Sequence, residues 1–347
     1  MFNIGDKVIG DGNPTFIIAE AGVNHNGDIS IAKKLVDEAV LAKVDAIKFQ
    51  TFRTEKLVTG YAEMAQYQKH NIGSEDSQFN MLKKLELPYE NFIELKKYCK
   101  QKGIMFLSTP FDFESADFLA SIDMEAYKIS SGDLTNIPFL EHIAKFNKPI
   151  ILSSGMSTLS DIEDALNVIN QLENSEVAVL HCTSNYPVKL QNVNLNAMGT
   201  IKSAFKVVSG YSDHTVGITI PIAAAAMGAN IIEKHFTIDK NMEGPDHKAS
   251  LCPMELSEMV KAIRDVEMAF GSGIKRYNKS EVDTMKAARK SIVASRDIKK
   301  GESIDFVDLE YKRPGTGLSP KFYNDIVGKK SNRDIKVDEQ INTNMVE

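Results

Sequence analysis

Apolar residues gather into eight short runs, at 16–21, 46–52, 104–111, 126–133, 149–156, 177–186, 207–214 and 231–237. Each run ends in a small, charged or amide-bearing cluster, among them A-E-A-G-V-N-H-N-G after the first and E-K-H-F-T at the last. Continuous apolar runs of this length read as strands buried on both faces, as in a parallel sheet. Between them lie segments of helical period. Residues 29–43 place Leu35, Val36, Ala39 and Val40 on one face, and 87–103 carry Phe92, Leu95 and Cys99 in register, with Pro88 suited to a first turn and Gly103 to a close. Thr158 and Asp161 predict a capping pair for a helix to Leu172, and 216–227 and 255–270 complete the set. Eight alternations of strand and helix predict a closed (β/α)8 TIM barrel, α/β in class, rather than an open doubly wound sheet. No G-x-G-x-x-G fingerprint supports the dinucleotide alternative.

One connection is longer than the rest. Residues 53–87 mix amides and charges with Tyr61 and Tyr67, as expected of a lid or substrate-binding segment or of a solvated helical insertion. After Gly271 the pattern changes to short strands and turns around Lys300-Gly301 and Arg313-Pro314-Gly315. The chain therefore divides into a barrel at 1–271, a linker at 272–288 and a small domain at 289–347. The small domain has too little core to stand strongly by itself.

With 43% hydrophobic and 25% charged residues and a net charge of −6, the chain has no basic block suited to nucleic acid or an anionic membrane. The polar stretch Met1–Gly12 is unlike a secretory leader, and no apolar run reaches a spanning length. Cys99, Cys182 and Cys252 form neither a disulfide framework nor a zinc spacing, which suits a reducing cytoplasm.

Positive charge for an anionic substrate must then be gathered inside the site. Lys48 and Lys128 stand near the ends of the second and fourth runs, where a buried ammonium needs an anion to meet it. Ion pairs with barrel carboxylates would satisfy them. With Thr109, Ser130, Ser131, Ser153 and Ser154 at neighbouring strand ends, they would instead form a phosphate-binding nest. His214 and His235 end the seventh and eighth runs, adjacent strands of a barrel, and can share a hard or borderline metal ion such as Mn²⁺ or Mg²⁺, oriented by Asp213 and Glu233. His25 is a third candidate, better suited to stacking or hydrogen bonding at the rim. Glu20 is either a proton-transfer group or the counter-ion of Lys48. Asp133 and Asp246 can accept bonds from sugar hydroxyls or cap turns.

The motifs I-A-E-A-G-V-N-H-N-G (18–27), K-F-Q-T-F (48–52), S-T-P-F (108–111), K-I-S-S-G-D (128–133), S-S-G-M (153–156), S-D-H (212–214), E-K-H-F-T (233–237), G-P-D-H (244–247) and K-R-P-G (312–315) resemble those of the sialic acid synthases over almost the whole chain. The last domain resembles their antifreeze-like (SAF) module. The resemblance implies condensation of phosphoenolpyruvate with an N-acylated mannosamine-type sugar, giving a nine-carbon 2-keto acid and phosphate. It implies that Lys48, Thr109, Lys128, Ser131 and Ser153 hold phosphoenolpyruvate. It gives His214 and His235 an ion, Mn²⁺ first with Mg²⁺ or Co²⁺ as alternates, and it brings Gln50, Asp133, Tyr186 and Asp246 to the sugar. Catalysis falls to Glu20, His214 and His235. It further implies a domain-swapped homodimer in which Arg313 reaches the sugar's N-acyl group across subunits.

N-acetylmannosamine is the first expectation for the sugar, and a 2,4-diacetamido-6-deoxy hexose, leading to legionaminate or pseudaminate, is the alternative. A 6-phosphorylated sugar is disfavoured because 53–87 holds no extra basic cluster. A carbohydrate-binding protein with an inactive barrel is the reading from another class. This chain departs from many members at Asp133 (Glu elsewhere), at Ser184 (Asn in some) and at Arg289-Lys290, all on the sugar side.

Overall fold

Successive residues of a strand face opposite ways, and that alternation organises the large unit of this computed structural model, which describes residues 1–72, 76–172, 174 and 176–347. A hairpin of β1 (Phe2–Ile4) and β2 (Lys7–Ile9) precedes eight parallel strands: β3 (Phe16–Gly22), β4 (Ala46–Thr51), β5 (Met105–Pro110), β6 (Tyr127–Ile129), β7 (Ile150–Ser153), β8 (Val177–Cys182), β9 (Val208–Asp213) and β10 (Ile231–His235). They are hydrogen-bonded in the order β5-β4-β3-β10-β9-β8-β7-β6, and β6 lies against β5, so the sheet is a nearly closed barrel.

One set of strand residues, including Ile17, Ile47, Phe106, Ile129, Leu152, Val179 and Ile232, packs outward against helices such as α1 (Ile29–Leu41), whose Leu35, Val36 and Ala39 are fully buried. The other set faces the axis. Its lower members, Ile18, Ala46, Leu107, Ala126, Ile151, Leu180 and Ile231, form a separate core closed from beneath by Phe2, Ile4 and Ile9 of the hairpin. Each such large side chain contributes about 1.5–3 kcal/mol of burial. The interior is therefore filled below, and a site can open only at the strands' C-terminal ends.

All eight predicted strands form, most of them shorter than their apolar runs. The largest difference is in the fourth run, where the strand stops at Ile129 and residues Ser131–Asp133 turn into a 3₁₀ helix. There Asp133 accepts from Ser130 Oγ at 2.7 Å and from Asn136 Nδ2 at 3.3 Å, local bonds that compete with a ladder. The helix Leu159–Gln171 begins with the expected Thr158–Asp161 capping box.

The long connection is helical. It carries α2 (Thr54–Leu57), α3 (Gln66–Ile72) and α4 (Gln78–Leu85) before α5 (Tyr89–Lys102). Pro88 stands at the N-cap of α5 rather than inside its first turn, and Gly103 closes the helix in a left-handed conformation (φ +75°). The insertion is not simply solvated, because Met64, Met81 and Leu85 pack with Val23 and Phe52 in a small core of their own. Tyr61 is exposed, and the side chain of Tyr67 lies outside the described residues.

The contacts divide the chain into Met1–Phe270 and Gly271–Glu347. In the second unit the expected linker carries a helix at Val282–Ala288, and β11 (Ser291–Ala294) pairs antiparallel with β12 (Leu309–Lys312). Ile292, Ile298, Ile304, Ile326, Ile335 and Ile341 fill its core. No helix among the described residues is long and apolar enough to cross a membrane.

Candidate active site

The axial set turns polar at its upper members. Ile18 is followed two residues on by Glu20, Ala46 by Lys48 and Gln50, Leu107 by Thr109, Ala126 by Lys128, Ile151 by Ser153, and Ile231 by Glu233 and His235. The ladder sets them level, with Glu20 opposite Lys48 on one side and opposite His235 on the other. A cavity of about 530 Å³ opens over them, lined by Glu20, Lys48, Gln50, Thr109, Lys128, Ser131, Ser153, Tyr186, His214, His235 and Asp246. These residues, all singled out from the sequence, thus share one hollow, and Ser130, Ser184 and Glu233 line it with them. Asp133 does not line it, its carboxylate being used in the turn after β6. Ser154 bonds to Leu180 O instead. Arg313 lies in the second unit, where its Nε donates to Ala288 O at 3.0 Å and its side chain is exposed.

Both lysines are buried, at 2% and 3% exposure. Lys48 Nζ meets Glu20 Oε2 at 2.6 Å and donates to Thr109 Oγ1 at 2.8 Å. Lys128 Nζ donates to Ser153 Oγ at 2.6 Å and to Ile129 O at 3.0 Å. Glu233 sits between them, 3.7 Å from Lys48 and 3.8 Å from Lys128. The ion pairs anticipated for the lysines therefore exist, and hydroxyls accompany them. Burial raises the pKa of Glu20, Glu233 adds to that rise, and Lys48 only partly opposes it. For Glu233 burial also resists ionisation, but Lys128 and Lys48, with the Ser212 hydroxyl, outweigh it and lower its pKa. Two neighbouring carboxyls pushed apart in this way take different roles, Glu20 able to carry a proton and Glu233 a fixed anion.

His214 and His235 stand with ring centroids 5.7 Å apart, and Tyr186 lies against His214 at 4.1 Å. Burial lowers the pKa of both imidazoles, and the nearby Lys48 adds to the fall at His235. Both are therefore neutral, the form that ligates metals. His214 Nδ1 donates to Thr183 O at 2.8 Å, which leaves Nε2 with its lone pair. His235 Nδ1 is buried without a protein partner. Among the described residues no third His, Cys, Asp or Glu completes a cluster. The pair suits an ion whose other positions go to substrate and water.

The groups orienting this pair differ from those expected. Asp213 turns away to Lys234, Glu233 serves the lysines and Ser212, and a backbone carbonyl orients His214. His25 lies outside the cavity lining and is fully buried rather than at the rim. Its Nδ1 accepts from Gly27 N–H at 3.0 Å, its ring packs on Phe49, and burial lowers its pKa to about 4. Asp246 has its pKa raised to about 7 by burial and by Glu20.

Two participants, Cys182 and Gly155, were given no role from the sequence. Cys182 Sγ lies 3.1 Å from Ser131 Oγ, which accepts from Gly155 N–H at 2.9 Å. A Cβ on Gly155 would come within 2.8 Å of Cys182 Sγ and Ser131 Oγ and would also strike Ser184 Oγ, so only glycine fits. The S-S-G-M motif marked the position but not this reason.

Residues 35–275 match the model of the NeuB family, and residues 289–347 match that of the SAF domain. An N,N'-diacetyllegionaminic acid synthase of Campylobacter jejuni is 49% identical over 94% of this chain and 98% of its own length. A synthase of the same name from Legionella pneumophila is 45% identical over 94% and 93%. Among solved structures, the N-acetylneuraminic acid synthetase of Leptospira borgpetersenii superposes with a TM-score of 0.72 at 37% identity, over 82% of this chain and 94% of that one.

Proposed function

The chain belongs to the NeuB family, and from that premise we propose that it condenses phosphoenolpyruvate with an open-chain N-acylated mannosamine-type sugar. The products are a nine-carbon 2-keto sugar acid and phosphate. The observation that supports this most is the recess in which two buried ammonium groups, Lys48 and Lys128, stand with the hydroxyls of Thr109, Ser131 and Ser153 as donors for the phosphate and carboxylate of phosphoenolpyruvate, beside Glu20 and Glu233.

The methylene carbon of phosphoenolpyruvate attacks the aldehyde carbon and a carbon–carbon bond forms. Water adds at the former enol carbon, and one of its protons passes through Glu20 to the aldehyde oxygen. The bond from that carbon to the phosphate oxygen then breaks, and the remaining hydroxyl proton leaves with phosphate. Glu20 suits the relay because its raised pKa lets it accept and return a proton, while Lys48 holds it in place. Gln50, which donates to Glu20 at 3.0 Å, and Tyr186 and Asp246 border the space left for the sugar. His214 and His235 would hold Mn²⁺, or Mg²⁺ or Co²⁺ in its place, and the bound ion would supply Lewis acidity at the aldehyde oxygen. Arg313 is assigned to the sugar's N-acyl group in a domain-swapped homodimer.

Of the two sugars weighed from the sequence, the 2,4-diacetamido-6-deoxy hexose now leads, because the 49% and 45% identical relatives are both named for a diacetylated product. N-acetylmannosamine is the second reading, favoured by the Leptospira structure. A phosphate-release assay with phosphoenolpyruvate and a panel of N-acyl hexosamines tests the reaction. Release that needs both substrates supports it, and no release with any sugar refutes it.

A further inference from the structure

The cavity has two unlike sides. Charged groups, hydroxyls and imidazoles crowd the strand ends, whereas the insertion after β4 lines the mouth with Ala65, Met81, Leu82 and Leu85. Among the described residues of that insertion, no charged side chain faces the cavity. Its polar contributions are the amides Gln68 and Gln78, and the Gln68 oxygen is already taken by Ala65 N–H at 2.9 Å, which leaves its NH₂ as the donor.

The aldehyde must meet phosphoenolpyruvate at the lysines, so the far end of a six-carbon chain points up to this wall. A hydroxyl set against Met81, Leu82 or Leu85 rather than against one of the two amides would lack a partner, and a buried polar group without a hydrogen bond is disfavoured. A methyl group in its place gains apolar contact, and a second acylamino group finds amides and a methyl-lined surface. Met81 and Leu85 also border a further hollow of about 310 Å³, and the pliable methionine lets the partition adjust to a bulky substituent.

We propose that Met81 and Leu82, with Gln78, determine specificity by admitting a sugar that is deoxygenated at its far carbon and acylated on a second nitrogen in preference to a fully hydroxylated one. This rests on the condensation proposed above and adds which residues make the choice.

The test compares kcat/KM for 2,4-diacetamido-2,4,6-trideoxymannose and N-acetylmannosamine at saturating phosphoenolpyruvate. The wild-type enzyme should favour the first by about a hundredfold, the usual limit for an apolar pocket rejecting an added hydroxyl. Leu82→Asn, at a partly exposed position, and Met81→Gln should each narrow the ratio at least tenfold by raising use of N-acetylmannosamine. Gln78→Leu should narrow it by slowing the diacylated sugar. Phosphate release from neither sugar overturns the condensation and this inference with it. Turnover with a wild-type ratio near one, or with a ratio that none of the three variants moves, overturns the wall assignment alone.

Discussion

Lys234 and Asp213 meet at 2.6 Å across adjacent strands, and neither side chain is exposed to solvent at all. Asp213 also accepts from the Thr215 amide and hydroxyl at 3.0 Å each, and Lys234 donates to Thr215 O. The residue held inside this knot is His214, so the pair fixes the turn that presents one imidazole to the cavity.

Removing one partner leaves the other charge buried and alone. Lys234→Met should cost about 3–5 kcal/mol, the usual price of breaking a buried pair. Thermal denaturation should show a midpoint roughly 6–20 °C lower. Lys234→Met combined with Asp213→Leu should recover part of that loss. A single variant as stable as the wild type would mean that the pair contributes nothing.

How far this arrangement could be read in the sequence varies by residue. The apolar runs and their polar endings marked the strands and the rim, because strand residues facing the axis must change from core to site partway along. Their places at strand ends marked Lys48, Lys128, Glu20 and His235 as members of one rim. Lys234 was hidden because it faces outward between two axial residues, and only the register with β9 brings it to Asp213. For Asp133 the two readings offered were sugar contact and turn capping, and its bonds to Ser130 and Asn136 are those of the turn. The apolar mouth was illegible for a related reason. Met81, Leu82 and Leu85 lie on a short helix whose burial depends on Val23 and Phe52, far away along the chain.

The two imidazoles are predicted to act only together. His214→Ala or His235→Ala should lower metal-stimulated phosphate release by at least about a hundredfold, the loss of several kcal/mol of Lewis-acid assistance. The neutral rings carry no buried ion pair, so melting temperatures should stay close to wild type. Activity assayed across a manganese titration, beside thermal melts, checks both statements, and full activity in either variant would remove the metal assignment.

Arg313→Ala should weaken sugar use rather than phosphoenolpyruvate use. Loss of a charge-assisted hydrogen bond costs about 1.5–3 kcal/mol, equivalent to roughly a 10- to 150-fold fall in kcat/KM for the sugar. If the arginine serves the partner subunit's barrel, impaired Arg313→Ala chains mixed with impaired His235→Ala chains should show more activity than either variant alone. Heterodimers shown to form yet remaining inactive would argue that each chain completes its own site.

Gly155→Ala should damage the anion recess without altering its charge. The added methyl would collide with Ser131 Oγ and Cys182 Sγ at 2.8 Å, and Ser131 accepts from the very amide that carries it. Overpacking of this kind typically costs about 1–3 kcal/mol. The KM for phosphoenolpyruvate should rise, and Ser131→Ala in the same background should relieve part of the clash. An unchanged KM would show that the recess tolerates displacement of Ser131.

Asp246 gives the site a stability dependence on pH whose direction can be fixed. Its pKa is raised to about 7 in the folded chain, by burial first and then by Glu20, from an ordinary 3.8. The folded state therefore binds this proton more tightly than the unfolded state does. Its contribution is fully present below about pH 4, is lost as pH rises towards 7, and stays lost above that. Asp246→Asn removes the burden of a buried carboxylate. The variant should match wild type in urea denaturation at the acid end and exceed it by up to a few kcal/mol at pH 8, since each pKa unit is worth about 1.4 kcal/mol. Equal midpoints at pH 8 would mean that the carboxylate is already compensated there, by a donor or by solvent.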